Sequence, residues 1–275
     1  MRALSLPVPS ASAECTIEAM CFDHDSRPPI LPIAGAAVDG ERLELTSADG
    51  TRFAAYRADA ASPTGTAVLI LPDVRGLHRY YEELALRFAE AGIDALAIDY
   101  FGRTAGTAPR AEDSEFRSHV EQTRYPTLRA DAQAAGHHLR QQRSVRNLFT
   151  VGFCFGGRLA FLTATHEGLD LAGAIGFYGP PAGPGRAGMP APLDIVSEMR
   201  CPVLGLFGGA DPGISVDDVD RFKRSLIEAG VDHELVVYPG APHSFFDRKA
   251  ADFADASEDA WRRLLEFVRR ISSAP

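Results

Sequence analysis

Residues 147–160 read N-L-F-T-V-G-F-C-F-G-G-R-L-A, and they constrain the fold more than any other stretch of the chain. Leu148, Phe149 and Val151 make a short apolar run of strand-forming residues. Arg158 to Leu162 are acceptable helix residues. Only G-F-C-F-G-G separates them, so a strand must pass into a helix through one tight turn. Gly152, Gly156 and Gly157 let backbones approach closely there, and Cys154 sits in the bend. The pattern is glycine, any residue, nucleophile, any residue, glycine, with cysteine where serine is more usual. Such a turn lifts the side chain off the sheet edge. It also sets the sulfur at a helix N-terminus, where the dipole favours thiolate over thiol. A buried structural cysteine beside a glycine-rich turn is the plain alternative, and this stretch alone does not separate the two.

The same alternation recurs along the chain. Residues 67–71, 93–98, 171–178, 202–207 and 234–238 are apolar runs of strand length. Residues 80–91, 112–122, 127–142, 216–229 and 253–271 are expected to be helical. Residues 41–46 and 52–58 flank an Asp-Gly turn and read as a β-hairpin. Residues 101–106 and the Pro- and Gly-rich residues 182–199 read as loops. Apolar strands alternating with helices specify an α/β fold: a mostly parallel sheet covered on both faces. The domain is expected to span residues 41–275. Residues 1–40, rich in proline and without periodicity, read as an irregular arm. The arm holds an A-S-A that mimics a cleavage site, but Pro7 and Pro9 break its short apolar stretch, so a signal peptide is not expected.

Charge narrows the partners. The net charge is −9 and no Lys/Arg block occurs, which argues against nucleic acid or an anionic membrane surface. No apolar run approaches the roughly 20 residues that span a bilayer. The four cysteines, Cys15, Cys21, Cys154 and Cys201, form no C-x-x-C pair, so neither a zinc site nor a cofactor is expected. Cys201 precedes Pro202 at a strand start and reads as core. Reduced thiols in a cytoplasm are the simplest assumption. A small molecule is the expected partner of a monomer or homodimer.

In parallel α/β sheets, ligands bind at the carboxyl ends of the strands. Three consecutive strand ends here carry Cys154, then Asp211, then His243. That order of nucleophile, acid and histidine is the one expected of an α/β-hydrolase arrangement. His243 could take the thiol proton and return one to a leaving group, while Asp211 holds the imidazole tautomer. Taken singly, Asp211 in Asp-Pro could be a turn residue; three types at three strand ends in order make chance a poor account. An oxyanion hole would come from the backbone N–H of Phe155, after the nucleophile, and of Val74, in the loop after residue 71. A thiol sensor on the same fold is the competing class, but a sensor needs no aligned histidine and aspartate.

Taken together, L-P-D-V-R-G-L, D-Y-F-G-R, G-F-C-F-G-G, G-F-Y-G, G-G-A-D and P-H-S-F resemble the dienelactone hydrolase (carboxymethylenebutenolidase) family of α/β-hydrolases, from about Glu41 onward. The resemblance implies hydrolysis of a small lactone or carboxylic ester through a Cys154–His243–Asp211 triad and a thioester. It implies that Asp73, shorter than the family's usual glutamate, interacts with the resting thiol. Arg103 matches a family arginine that binds a substrate carboxylate, Arg248 lies one residue from the place of a second, and Tyr178 matches a pocket tyrosine. Asp73 and Arg103 follow neighbouring buried strands, so both are expected at the pocket mouth. The alternative is that Arg103 or Arg75 serves in a structural ion pair with Asp73.

Overall fold

The hairpin forms as β1 (Asp39–Thr46) and β2 (Arg52–Asp59), antiparallel, with Thr46 opposite Arg52. The computed structural model describes residues 26–32, 39–111, 113–143, 145–247 and 249–273. Most of the arm expected at residues 1–40 therefore lies outside the described residues; within it, Arg27 pairs with Glu83. Next come β3 (Thr66–Leu71), α1 (Arg79–Glu90), β4 (Asp94–Ile98), α2 (Gly102–Ala105), α3 (Arg117–Gln122) and α4 (Tyr125–Arg143). After them follow β5 (Asn147–Phe153), α5 (Phe155–Thr163), β6 (Gly173–Phe177), β7 (Val203–Gly208), α6 (Val216–Glu228), β8 (His233–Tyr238) and α7 (Ala254–Ser272).

Among the described residues the strands form one eight-stranded sheet in the order β1-β2-β4-β3-β5-β6-β7-β8. β2 pairs antiparallel with β4, and every pairing from β4 to β8 is parallel. β3 and β4 are buried at every position, which is why their sequence shows no alternation of polarity. Their side chains still alternate in space. Val68, Ile70, Ala95 and Ala97 enter one core, while Ala67, Leu69, Leu71, Leu96 and Ile98 enter the other. α1 and α7 share the first core, where the Phe88 and Trp261 rings meet at 4.8 Å. α4 presents Leu128, Ala132, Ala135 and Leu139 to the second. Each fully buried leucine or phenylalanine contributes about 1.5–3 kcal/mol.

Several elements differ in extent from expectation. Among the described residues α3 spans only Arg117–Gln122 of the expected 112–122, with Glu115 accepting a hydrogen bond from the Ser118 N–H (3.0 Å) just ahead of it. β6 stops at Phe177, because Tyr178 has φ +37° and leaves the strand. Residues 182–199 contain 3-10 turns at Arg186–Gly188 and Pro192–Glu198, and α2 forms where a loop was expected. The order β4-β3-β5 reverses the winding at β3 and opens a crevice between the loops that follow β3 and β5. Among the described residues, no helix is long and apolar enough to cross a membrane.

Candidate active site

The crevice receives Cys154. Its backbone has φ 54° and ψ −111°, a conformation non-glycine residues rarely adopt, and it caps the N-terminus of α5. The turn is fixed from both sides: the Cys154 N–H donates to the Phe177 carbonyl (3.0 Å), and the Cys154 carbonyl accepts from Arg158 N–H (3.1 Å). The flanking glycines are needed for space. A Cβ on Gly152 would overlap the Gly156 carbonyl oxygen, and one on Gly156 would overlap that of Leu71.

Two further strand ends meet the cysteine. Asp211, after β7, accepts from the Gly213 N–H at 2.8 Å through Oδ1, which leaves Oδ2 for the Nδ1 of His243 at 2.6 Å. Both residues are buried. The bond places a proton on Nδ1, so Nε2 is the ring nitrogen that could exchange one. Burial by itself would depress the His243 pKa. The negative charge that Cys154 can carry, with the bond to Asp211, outweighs burial and raises it well above its ordinary 6.5.

Behind the sulfur lies a buried polar layer. Asp73, 1% exposed, accepts from the Arg75 N–H (2.8 Å) with Oδ1, and its Oδ2 has no hydrogen-bond partner among the described residues. Burial first, then the charge at Cys154, pushes its carboxyl well above the usual range, against the pull of Arg75. Asp247, four residues after His243, accepts from the Tyr178 hydroxyl at 2.6 Å. The Tyr178 ring packs on the His243 imidazole with centroids 4.9 Å apart.

In front of the sulfur is a cavity of about 170 Å³ lined chiefly by Val74, Cys154, Phe155, Met189, Ile214 and His243, with Pro180, Pro184, Gly185 and Arg186 as a further wall. The N–H groups of Val74 and Phe155 have no hydrogen-bond partner among the described residues. That wall is tied down by Arg158. Its guanidinium, 3% exposed, donates to the carbonyls of Pro180 (3.3 Å), Ala182 (3.0 Å), Gly183 (2.7 Å) and Pro190 (3.2 Å).

The structure brings Cys154, Asp211, His243, Phe155 and Val74 to one place and puts Asp73 beside the sulfur but out of the cavity lining. It does not bring Arg103 there. Arg103 forms a fork to Asp131 of α4, with Nη1 and Nη2 at 2.7 and 2.9 Å, and donates to Asp49 at 3.0 Å. The position past a strand end was read correctly, but α2 turns the side chain toward a fully buried carboxylate that requires a cation. Tyr178 is likewise no pocket tyrosine: it is fully buried behind His243 with its hydroxyl taken by Asp247. Arg248 lies outside the described residues. Arg158 and Asp247 were missed. Arg158 could have been noticed as a lone charge in an otherwise apolar helix, R-L-A-F-L.

The sequence matches the dienelactone hydrolase family over residues 53–272. It is 32% identical, over 88% of this chain and 84% of the other, to a Methylorubrum extorquens protein with the name "Putative carboxymethylenebutenolidase". It is 30% identical, over 80% and 91%, to a Bradyrhizobium protein with the name "Probable 2-oxo-3-(5-oxofuran-2-ylidene)propanoate lactonase". The crystal structure titled "Putative Dienelactone Hydrolase" from Klebsiella pneumoniae superposes with a TM-score of 0.74, at 27% identity over 85% of this chain and 99% of that one. A cysteine elbow on an α/β-hydrolase sheet, matched in sequence over most of its length, makes this chain a member of the dienelactone hydrolase family.

Proposed function

We propose that the chain hydrolyses small lactones or carboxylic esters with Cys154 as nucleophile, His243 as acid–base and Asp211 as its orienting partner. The observation that carries this reading is the 2.6 Å Asp211–His243 bond beside a cavity that His243 and the Cys154 elbow line together. His243 takes the thiol proton as sulfur attacks the carbonyl carbon. The Phe155 and Val74 N–H groups receive the oxyanion. Collapse expels the alcohol oxygen, which takes the proton from Nε2, and leaves a thioester on Cys154. In a lactone the alcohol stays tethered to the acyl group. Water then attacks the thioester with His243 as base, and the acid leaves. Asp73 bears on the first step: a carboxyl that keeps its proton spares the neighbouring thiolate a like charge.

Support for a lactone substrate comes from the name of the Bradyrhizobium relative. Support for a simple neutral ester comes from the apolar cavity walls, Val74, Phe155, Met189 and Ile214. Steady release of p-nitrophenol from p-nitrophenyl acetate is expected, with iodoacetamide inactivating the enzyme by modification at Cys154. Near-normal kcat in Cys154→Ala would remove the mechanism.

A further inference from the structure

The turn that carries the Val74 N–H is held from outside the site. Residues 73–76 form a tight turn, closed by a bond from the Gly76 N–H to the Asp73 carbonyl (3.1 Å). Gly76 has φ +73°, so the chain leaves that turn in the left-handed region. Asp99, the residue after β4, is fully buried against it. Its Oδ1 accepts from the Leu77 N–H (2.9 Å) and from Arg110 Nη2 (2.8 Å), and its Oδ2 accepts from Arg110 Nη1. The same Nη2 also donates to the Arg75 carbonyl at 3.3 Å. A Cβ on Gly76 would lie 2.3 Å from Asp99 Oδ1 and 3.0 Å from Arg110 Nη2, so the ion pair closes directly on the backbone of the turn. Arg110 is braced in its own right, with its guanidinium 4.9 Å from the centroid of the Phe101 ring. Neither Asp99 nor Arg110 belongs to the cavity wall.

We propose that Arg110, paired with Asp99, is a positioning residue that aims the Val74 N–H at the oxygen of the reacting carbonyl. The role of that N–H rests on the hydrolase reading above; the clamp that aims it does not. A donor serves an oxyanion only when it is held about 2.7–3.1 Å from the place the oxygen will take. Val74 lies between Asp73 and Arg75, and the pair fixes the chain just beyond it at two main-chain groups, the Arg75 carbonyl and the Leu77 N–H. The task needs a guanidinium. Its planar fork bonds both Asp99 oxygens and still has an Nη2 hydrogen for the Arg75 carbonyl, whereas a lysine supplies the charge without the fork.

The test uses two variants: Arg110→Lys, and Arg110→Met combined with Asp99→Asn, which keeps an acceptor for Leu77 and strands no buried charge. On p-nitrophenyl acetate each should lower kcat roughly 10-fold, less than the 10²–10³-fold of deleting such a donor outright, with KM within about two-fold. A second arm needs no turnover. The Cys154 thiol adds across the carbonyl of propionaldehyde, sulfur to carbon and proton to oxygen, and that oxygen takes the place of the oxyanion. Iodoacetamide instead loses iodide to the same sulfur and builds no such oxygen. The aldehyde concentration that half-protects Cys154 from alkylation, read by mass spectrometry, should rise about 10-fold in both variants, while the alkylation rate without aldehyde stays within about two-fold of wild type. An unchanged kcat or an unchanged protection constant overturns the proposal, as does a wild type that the aldehyde fails to protect. An alkylation rate that falls in step with kcat also overturns it, since the pair would then support the elbow and not the donor. If the wild type cleaves no ester, the hydrolase reading fails, while the protection constants still decide whether Arg110 aims the Val74 N–H.

Discussion

Arg103 and Arg158 hold equivalent places on either side of β3, five residues past the last residue of β4 (98 to 103) and of β5 (153 to 158). Each guanidinium is fastened from several directions. Arg103 is fastened by carboxylates, Asp131 and Asp49, and its charge is cancelled where it stands. Arg158 is fastened by carbonyl oxygens, so its charge persists beside the cavity while its geometry is fixed. The chemistry of the acceptor decides whether an arginine joins elements or shapes a field. Position in the sequence does not.

The largest effect should come from the carboxylate-held arginine, and it should fall on stability. Arg103→Met strands a fully buried Asp131 charge, a loss of about 3 kcal/mol in urea unfolding at pH 7. Arg103→Met with Asp131→Leu should recover most of it. A stable single variant with altered substrate preference would erase the contrast between the two arginines. Arg158→Met should instead fall on activity. Loss of the clamp frees residues 180–190, and kcat/KM is expected to drop about 10- to 100-fold, or roughly 1.4–2.7 kcal/mol. Arg158→Lys, a point charge without the fork, should rescue little; full rescue would mean that charge alone matters.

Smaller effects test the layer behind the sulfur. Tyr178→Phe removes the donor to Asp247 and loosens the support of His243. A fall of roughly five-fold in kcat with KM nearly constant corresponds to about 1 kcal/mol. A change confined to KM would return Tyr178 to the substrate pocket. Asp73→Asn should act through pH. Because Asp73 holds its proton in the folded protein well above 3.8, the folded state binds more protons than the unfolded one over that interval. Its contribution is complete below pH 3.8 and is lost as pH rises through the folded value. The difference in unfolding free energy between Asp73→Asn and wild type should therefore grow in favour of the variant from pH 5 to pH 8. A constant difference would mean that Asp73 is ionised throughout.

Much of this fold was open to reading because its central strands are buried on both faces. Runs such as A-V-L-I-L at 67–71 have no other stable use in a chain of this kind. The elbow was readable because its glycines answer to backbone overlap, a demand side chains cannot renegotiate. Direction was not readable. Past a strand end the chain is near the site, yet one turn of α2 suffices to aim Arg103 at α4. Even here a trace existed: Asp131 lies on the same helical face as Leu128 and Ala135, a buried place for a carboxylate, and such a residue implies a cation from elsewhere. Arg158 left a similar trace in α5, but its acceptors are main-chain atoms, which no side-chain pattern discloses.

The members of the proposed triad are spread widely along the chain, and this sets a clock on its assembly. Cys154 leaves the ribosome about ninety residues before His243, which at 5–20 residues per second is roughly 5–18 s earlier. During that interval the elbow lacks first the Phe177 carbonyl that holds the Cys154 N–H, then Asp211, then the imidazole. On the proposed mechanism the nucleophile is made early, and the groups that turn it to hydrolysis arrive last. Any electrophile that meets the growing chain encounters a thiol not yet committed to a reaction.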